Sequence, residues 1–277
     1  MDRQRTVDLS GMIDLHIHTA PDVRPRLLDD IEAAAQAASS SLRAIVLKSH
    51  VTCTADRAAI AQKVVGKVRV LGGLTLNHEV GGLNPAAVEA AIRLGAKVIW
   101  MPTISARNVN GQPGTLNVWE KGDVGKLSGQ TYEVLELVAK ADVALGTGHL
   151  SVPEIVSVVK AAREVGIEKI MVTHPDSHLV DMPLEVQQEL ARMGAYMERC
   201  YGNVHPPSPS LSIEEMAHRI RTIGIERTVL STDFGQVNRP SPVEGLRLFV
   251  TGLLKQGFTA TEVRIMAAET PAALLGL

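Results

Sequence analysis

Aromatic residues are scarce: Phe, Trp and Tyr together make up 3% of the 277 residues. Nucleic-acid surfaces usually present a basic stripe, often with aromatics for base stacking. Here the net charge is −2 and no basic block occurs, so no nucleic-acid partner is expected. Cysteine is scarcer still. Cys53 and Cys200 are too few for a disulfide framework and suit a reducing, cytoplasmic location. No apolar run approaches the ~18 residues of a membrane span. Residues 1–8 hold no apolar leader core, so neither a membrane nor a secretory route is expected. What is present, 45% apolar and 21% charged residues, is the composition of an ordinary globular chain and excludes disordered and collagen-like classes.

Eight short runs rich in Val, Ile, Leu and Met read as strands buried on both faces: 12–17, 44–47, 68–76, 97–101, 143–146, 169–173, 195–198 and 228–231. Helical patterns cover 27–42, 54–65, 132–141, 184–194, 243–257 and 261–275, the last broken at Pro271. Three more helices start on capping signals: Asn84-Pro85, Ser151 with Glu154, and Ser212 with Glu215. They end at Gly95, Gly166 and Gly224. This alternation predicts an α/β fold, a (β/α)8 TIM-type barrel forming a single domain over 1–277. A doubly wound sheet is the alternative, but no glycine-rich dinucleotide turn follows the first strand. The fourth and fifth strands start at 97 and 143, the widest interval in the chain. The excess, about 103–130, is rich in Gly, Asn and Pro and carries Trp119. It reads as a loop insertion over the active face or as a surface excursion.

Five of nine histidines fall at or just past the ends of expected strands: His16, His18, His50, His149 and His174. That end is the active face of a β/α barrel. His16 and His18, two apart in a strand, point to the same side and are expected to project into the barrel mouth. His149 and His174 end the fifth and sixth strands, and Asp233 ends the eighth. Four imidazoles and a carboxylate converging on one axial point form a donor set for zinc or a similar divalent ion.

This ordered set, His-x-His on the first strand, His149, His174 and Asp233, resembles the amidohydrolase superfamily over the whole chain. So does the closing segment from Glu269 to Gly276. The likeness is to its compact, barrel-only branch, within a group without an assigned substrate. The resemblance implies a metal-dependent hydrolase of an amide, lactone or ester bond in a small molecule. One or two divalent ions, zinc by preference, would be held by His16, His18, His149, His174 and Asp233. A metal lowers the pKa of its water to ~7, giving hydroxide, and Asp233 would be the catalytic proton shuttle.

The chain departs from that pattern at the end of the fourth strand, Val98-Ile-Trp-Met-Pro102, which lacks the bridging Lys or Glu of two-metal members. Lys48, if carboxylated, is one substitute; Glu79 and Glu198 are others. Without a bridge the site is mononuclear, as in decarboxylase and deaminase branches. A second resemblance, to the polymerase-and-histidinol-phosphatase barrels, rests on Leu15-His-Ile-His-Thr19 with His50 and Glu79. It implies phosphoester hydrolysis but fails at the last motif, where Asp233-Phe-Gly235 replaces Asp-x-His. His50, Glu79, Arg107 and Glu198 are substrate-binding candidates, and Arg24 and Arg199 are read as anion clamps or surface charge. His218 is expected to face solvent and Cys200 to be a packed thiol. The expected partner is a small-molecule substrate, and a homo-oligomer is compatible with a barrel of this size.

Overall fold

The computed structural model describes residues 7–110, 115–206 and 209–277. Among the described residues ten strands follow in chain order. They are β1 (Ile13–His18), β2 (Ala44–Lys48), β3 (Arg69–Thr75), β4 (Val98–Trp100), β5 (Trp119–Glu120), β6 (Asp123–Leu127), β7 (Ala144–Gly146), β8 (Ile170–Val172), β9 (Tyr196–Cys200) and β10 (Thr228–Ser231). Eight of them form one parallel sheet in the order β1-β2-β3-β4-β7-β8-β9-β10. The seam closes just beyond the last strand: Ile17 bridges Phe234 in parallel, and the His18 amide donates to the Phe234 carbonyl at 2.7 Å. The fold is therefore a (β/α)8 barrel, each barrel strand falling on an expected run.

Helix starts follow their caps. Asn84 accepts from the amides of Ala86 and Ala87, with Pro85 in the first turn. The Glu154 carboxylate accepts from the Ser151 amide at 2.9 Å, and the Ser212 hydroxyl from the Glu215 amide at 3.1 Å. The C-terminal segment is not broken at Pro271. It runs as Ala260–Arg264, widens into a π-turn over Ile265–Glu269 and continues as Thr270–Leu275. Proline cannot donate into the α ladder, and a wider turn absorbs that missing bond.

Two apolar layers result. Ile13, Leu15, Val46, Val98, Met171 and the fully buried Trp100 fill the barrel interior. The outward residues of the same strands pack under the helices. Part of the 103–130 insertion forms the antiparallel hairpin β5–β6; residues 111–114 lie outside the described residues. Its root is anchored, since the Thr131 hydroxyl and the Ser128 amide both donate to the Val118 carbonyl.

Candidate metal centre

Side-chain parity along β1 decides whether a site exists. Ile13 and Leu15 face the barrel interior, whereas Asp14 faces the helical layer beside Ala33, Leu42 and Val243. Strict alternation would send His16 and His18 outward with Asp14. A register shift against β2 between Asp14 and Ile17 reverses the parity. Ile17 joins the outer core, and both imidazoles turn inward. Asp14 satisfies the backbone groups at this bulge. It accepts from the His16 amide at 3.2 Å, the Thr232 amide at 3.1 Å and the Thr232 hydroxyl at 2.5 Å. Burial pushes its carboxyl up to about 7 against these hydrogen bonds.

At the C-terminal mouth a cavity of about 380 Å³ is lined by His18, Lys48, His50, His149, His174 and Asp233, among others. Five imidazoles form a closed ring around it. Successive centroids lie 5.2 Å (His16–His18), 4.8 Å (His18–His50), 6.0 Å (His50–His149), 4.8 Å (His149–His174) and 6.0 Å (His174–His16) apart. Asp233 Oδ1 lies 3.1 Å from both His16 Nε2 and His18 Nε2. The Nε2 atoms of His149 and His174 also face each other at 3.1 Å. Ligands each 2.0–2.1 Å from a tetrahedral ion sit about 3.3 Å from one another. The donor spacing therefore fits a divalent ion, and the N/O set suits zinc-like chemistry.

The backbone is strained at two of these residues. His174 and Asp233 have φ of 27° and 56°, left-handed values uncommon for side-chain-bearing residues. Close backbone approach is met by glycine. Gly148, before His149, has φ 63°, and a Cβ there would lie 2.3 Å from the Met101 carbonyl oxygen. At Gly235 a Cβ would lie 1.8 Å from the His18 carbonyl oxygen.

Burial holds His18 and His174 down at about 4, and His50 and His149 well below the ordinary range, so each keeps a lone pair at neutral pH. His16 differs. Burial and the neighbouring Lys48 oppose its charge, but the Asp233 and Glu198 carboxylates outweigh them and push it up to about 9. Burial would raise Asp233, yet His16 and His18 bring it well below the carboxylate range. Burial also pulls Lys48 down from its ordinary value.

The other candidates separate by position. Lys48 lines the cavity, its Nζ 3.0 Å from His16 Nε2 and 5.2 Å from the Trp100 ring centre. Glu198 is fully buried behind His16, Oε1 3.1 Å from Nδ1. That contact orients His16 by keeping a proton on Nδ1, so that Nε2 is the nitrogen that would face an ion once its own proton is displaced. Glu79 is exposed on the short helix His78–Val80 and does not line the cavity. Arg107 lines a separate groove with Trp119 and Glu120 of the hairpin. Arg24 lines the cavity mouth. Arg199 instead lies buried, ion-paired to Asp176, which also accepts from Gln187 and Arg219. His218 is exposed and Cys200 buried. Sequence reasoning missed Arg26, bound to Asp22 and 3.4 Å from His18 Nδ1, and Asn77 and Thr103, which hold His50. The insertion gives the cavity Ile104 and Val109.

Residues 11–198 match a family model described as a family of unknown function, DUF6282. No curated protein matches the chain. Among solved structures it is similar to an amidohydrolase from Pseudomonas aeruginosa, at 16% identity and TM-score 0.64, over 96% of this chain and 95% of that one. It is similar to the phosphotriesterase homology protein from Escherichia coli, complexed with phosphate in its active site, at 15% identity and TM-score 0.64, over 97% and 100%. It is also similar to an organophosphorus hydrolase from Deinococcus radiodurans, at 14% identity and TM-score 0.60, over 98% and 93%. The fold shared with these structures is the barrel of amidohydrolase and phosphotriesterase-like hydrolases.

Proposed function

The chain belongs to the DUF6282 family, and on the geometry of its cavity we propose that it is a metal-dependent hydrolase of an amide, lactone or ester bond in a small molecule. The observation that carries this reading is Asp233 Oδ1 lying 3.1 Å from the Nε2 atoms of both His16 and His18, at a cavity that His149 and His174 also line. These five residues would hold the ion, zinc by preference. A divalent ion held there would supply a nucleophilic water at neutral pH and polarise the scissile carbonyl. Asp233, a quarter exposed and held ionised by the adjacent imidazoles, accepts the water's proton and passes it to the leaving group. Glu198 holds the tautomer of His16, and Ile104 and Val109 wall the substrate chamber. Of the three residues considered as a bridge between two ions, Lys48 is the one that lines the cavity. Support for carbonyl over phosphoester chemistry comes from Glu79, an added ligand in the phosphoesterase reading, which is exposed and outside the cavity lining.

The test is elemental mass spectrometry of protein purified with zinc and bicarbonate, followed by assays on lactones, amides, esters and a chromogenic phosphoester. One or two ions per chain and turnover of a carbonyl substrate are expected. Asp233→Asn should retain at least part of the metal and lose about 10²–10⁴-fold in kcat. Metal-free protein after zinc loading, or a phosphoester as the sole substrate, would overturn the proposal.

A further inference from the structure

His50 lies in the ring of imidazoles, yet its surroundings give it a different task. Asn77 Oδ1 accepts from two backbone amides, Thr103 N at 2.8 Å and Ser105 N at 3.1 Å. Amides can only donate, so the orientation of the Asn77 side chain is fixed. Its Nδ2 then donates both protons, to the His50 carbonyl at 2.9 Å and to Thr103 Oγ1 at 2.7 Å. Thr103 is fully buried, and its own hydroxyl proton needs an acceptor. His50 Nδ1, 2.8 Å away, is that acceptor. A donor at Nδ1 would leave the buried hydroxyl proton stranded. The proton of neutral His50 therefore sits on Nε2, which has no protein partner among the described residues, on a ring that lines the cavity.

We propose that His50 is a hydrogen-bond donor to a substrate oxygen, presented as its Nε2–H tautomer by Asn77 and Thr103, and that it ligates no metal. A nitrogen that carries its proton offers no lone pair to an ion. The same N–H, on a ring that lines the cavity, stabilises negative charge developing on a carbonyl oxygen. Asn77 and Thr103 are positioning residues: they join the ends of β2, β3 and β4 and act through His50. The donor role rests on the hydrolase reading of the cavity; the tautomer does not.

Two-dimensional ¹H–¹⁵N spectra of histidine-labelled protein, zinc-loaded and metal-free, read the tautomer directly. His50 is expected to show its proton on Nε2 in both states. Thr103→Val should abolish that preference and Thr103→Ser restore it. His50→Ala should leave the metal content per chain unchanged and lower kcat by about 10²–10³-fold with a smaller change in KM. Thr103→Ser should recover most of the kcat that Thr103→Val loses. A proton on Nδ1 of His50, or loss of one metal equivalent in His50→Ala, would overturn the proposal. Absence of turnover in the wild-type protein overturns the hydrolase reading instead, and the spectra still decide the tautomer.

Discussion

The Asp14 carboxylate and the Thr232 hydroxyl meet at 2.5 Å on the outer side of the barrel seam, behind the imidazoles that their strands deliver to the inner side. Asp14 also accepts from the amides of His16 and Thr232, so one side chain ties the β1 bulge to the residue before Asp233. Asp14→Ala leaves two amides and a hydroxyl without this acceptor in a dry layer, which costs about 2–4 kcal/mol. Asp14→Asn keeps a carbonyl oxygen for the amides and should cost about half as much. Urea unfolding of the metal-free variants checks the order. Zinc affinity should fall with Asp14→Ala even where the protein remains folded, because His16 and His18 lose the bulge that turns them inward. Unchanged affinity in a folded Asp14→Ala protein would show that the bulge holds without it.

Glu198 acts on His16 from the other side. Replacing it by Gln preserves an oxygen acceptor for His16 Nδ1–H but removes a charge. Replacing it by Leu removes the acceptor. Zinc affinity should drop about 10–100-fold in Glu198→Leu and considerably less in Glu198→Gln. Chelator competition at one pH measures both, and equal losses would assign the effect to charge alone.

A third expectation concerns the buried pair behind the β8 loop. Arg199 and Asp176 are both fully buried at the side chain, and Asp176 is held below its ordinary range, burial opposing and Arg199 prevailing. Asp176→Ala strands a buried guanidinium and should destabilise by about 3–5 kcal/mol. A double change to Arg199→Met and Asp176→Leu should recover most of that loss in thermal unfolding. If the double variant is as unstable as the single, the pair contributes through shape, not charge.

Much of this was legible from the chain because period and position carry it. The eight strands stood out as short β-branched runs, and the strand ends gathered His16, His18, His149, His174 and Asp233 in the order that the amidohydrolase-type barrel uses. Two-residue spacing gave His16 and His18 a common side. It could not give the inward side, since continuous alternation from Ile13 and Leu15 points the other way and the bulge that corrects it leaves no composition signal. Arg199 follows the seventh strand as an active-face residue would. Its parity, opposite to that of Glu198 and Cys200, puts it under the helices instead. Asn77 and Thr103 escaped because their task is set by hydrogen bonds between loops distant in sequence. An Asn just past a strand was the one available signal.

The pH dependence of metal binding follows from His16. Its pKa of about 9 means that the imidazole is protonated at neutral pH in the metal-free protein, and a protonated ring has no lone pair to give. Each ion bound below that pKa must therefore displace one proton from His16. Burial keeps His18, His50, His149 and His174 neutral in this range, so they add no further slope. His16 should make apparent zinc affinity rise about tenfold per pH unit from 6 toward 9, a contribution that levels off above its pKa, with ionisation of the ion's own water adding slope above about 7. Glu198→Gln removes one of the two carboxylates that raise His16 and should move the bend to lower pH. Chelator competition across pH 6–9, with calorimetry in buffers of different ionisation enthalpy to count the released proton, measures both. A flat profile with no proton release would mean that the ion does not bind through His16, and the His16–His18–Asp233 cluster would lose its claim to be the metal centre.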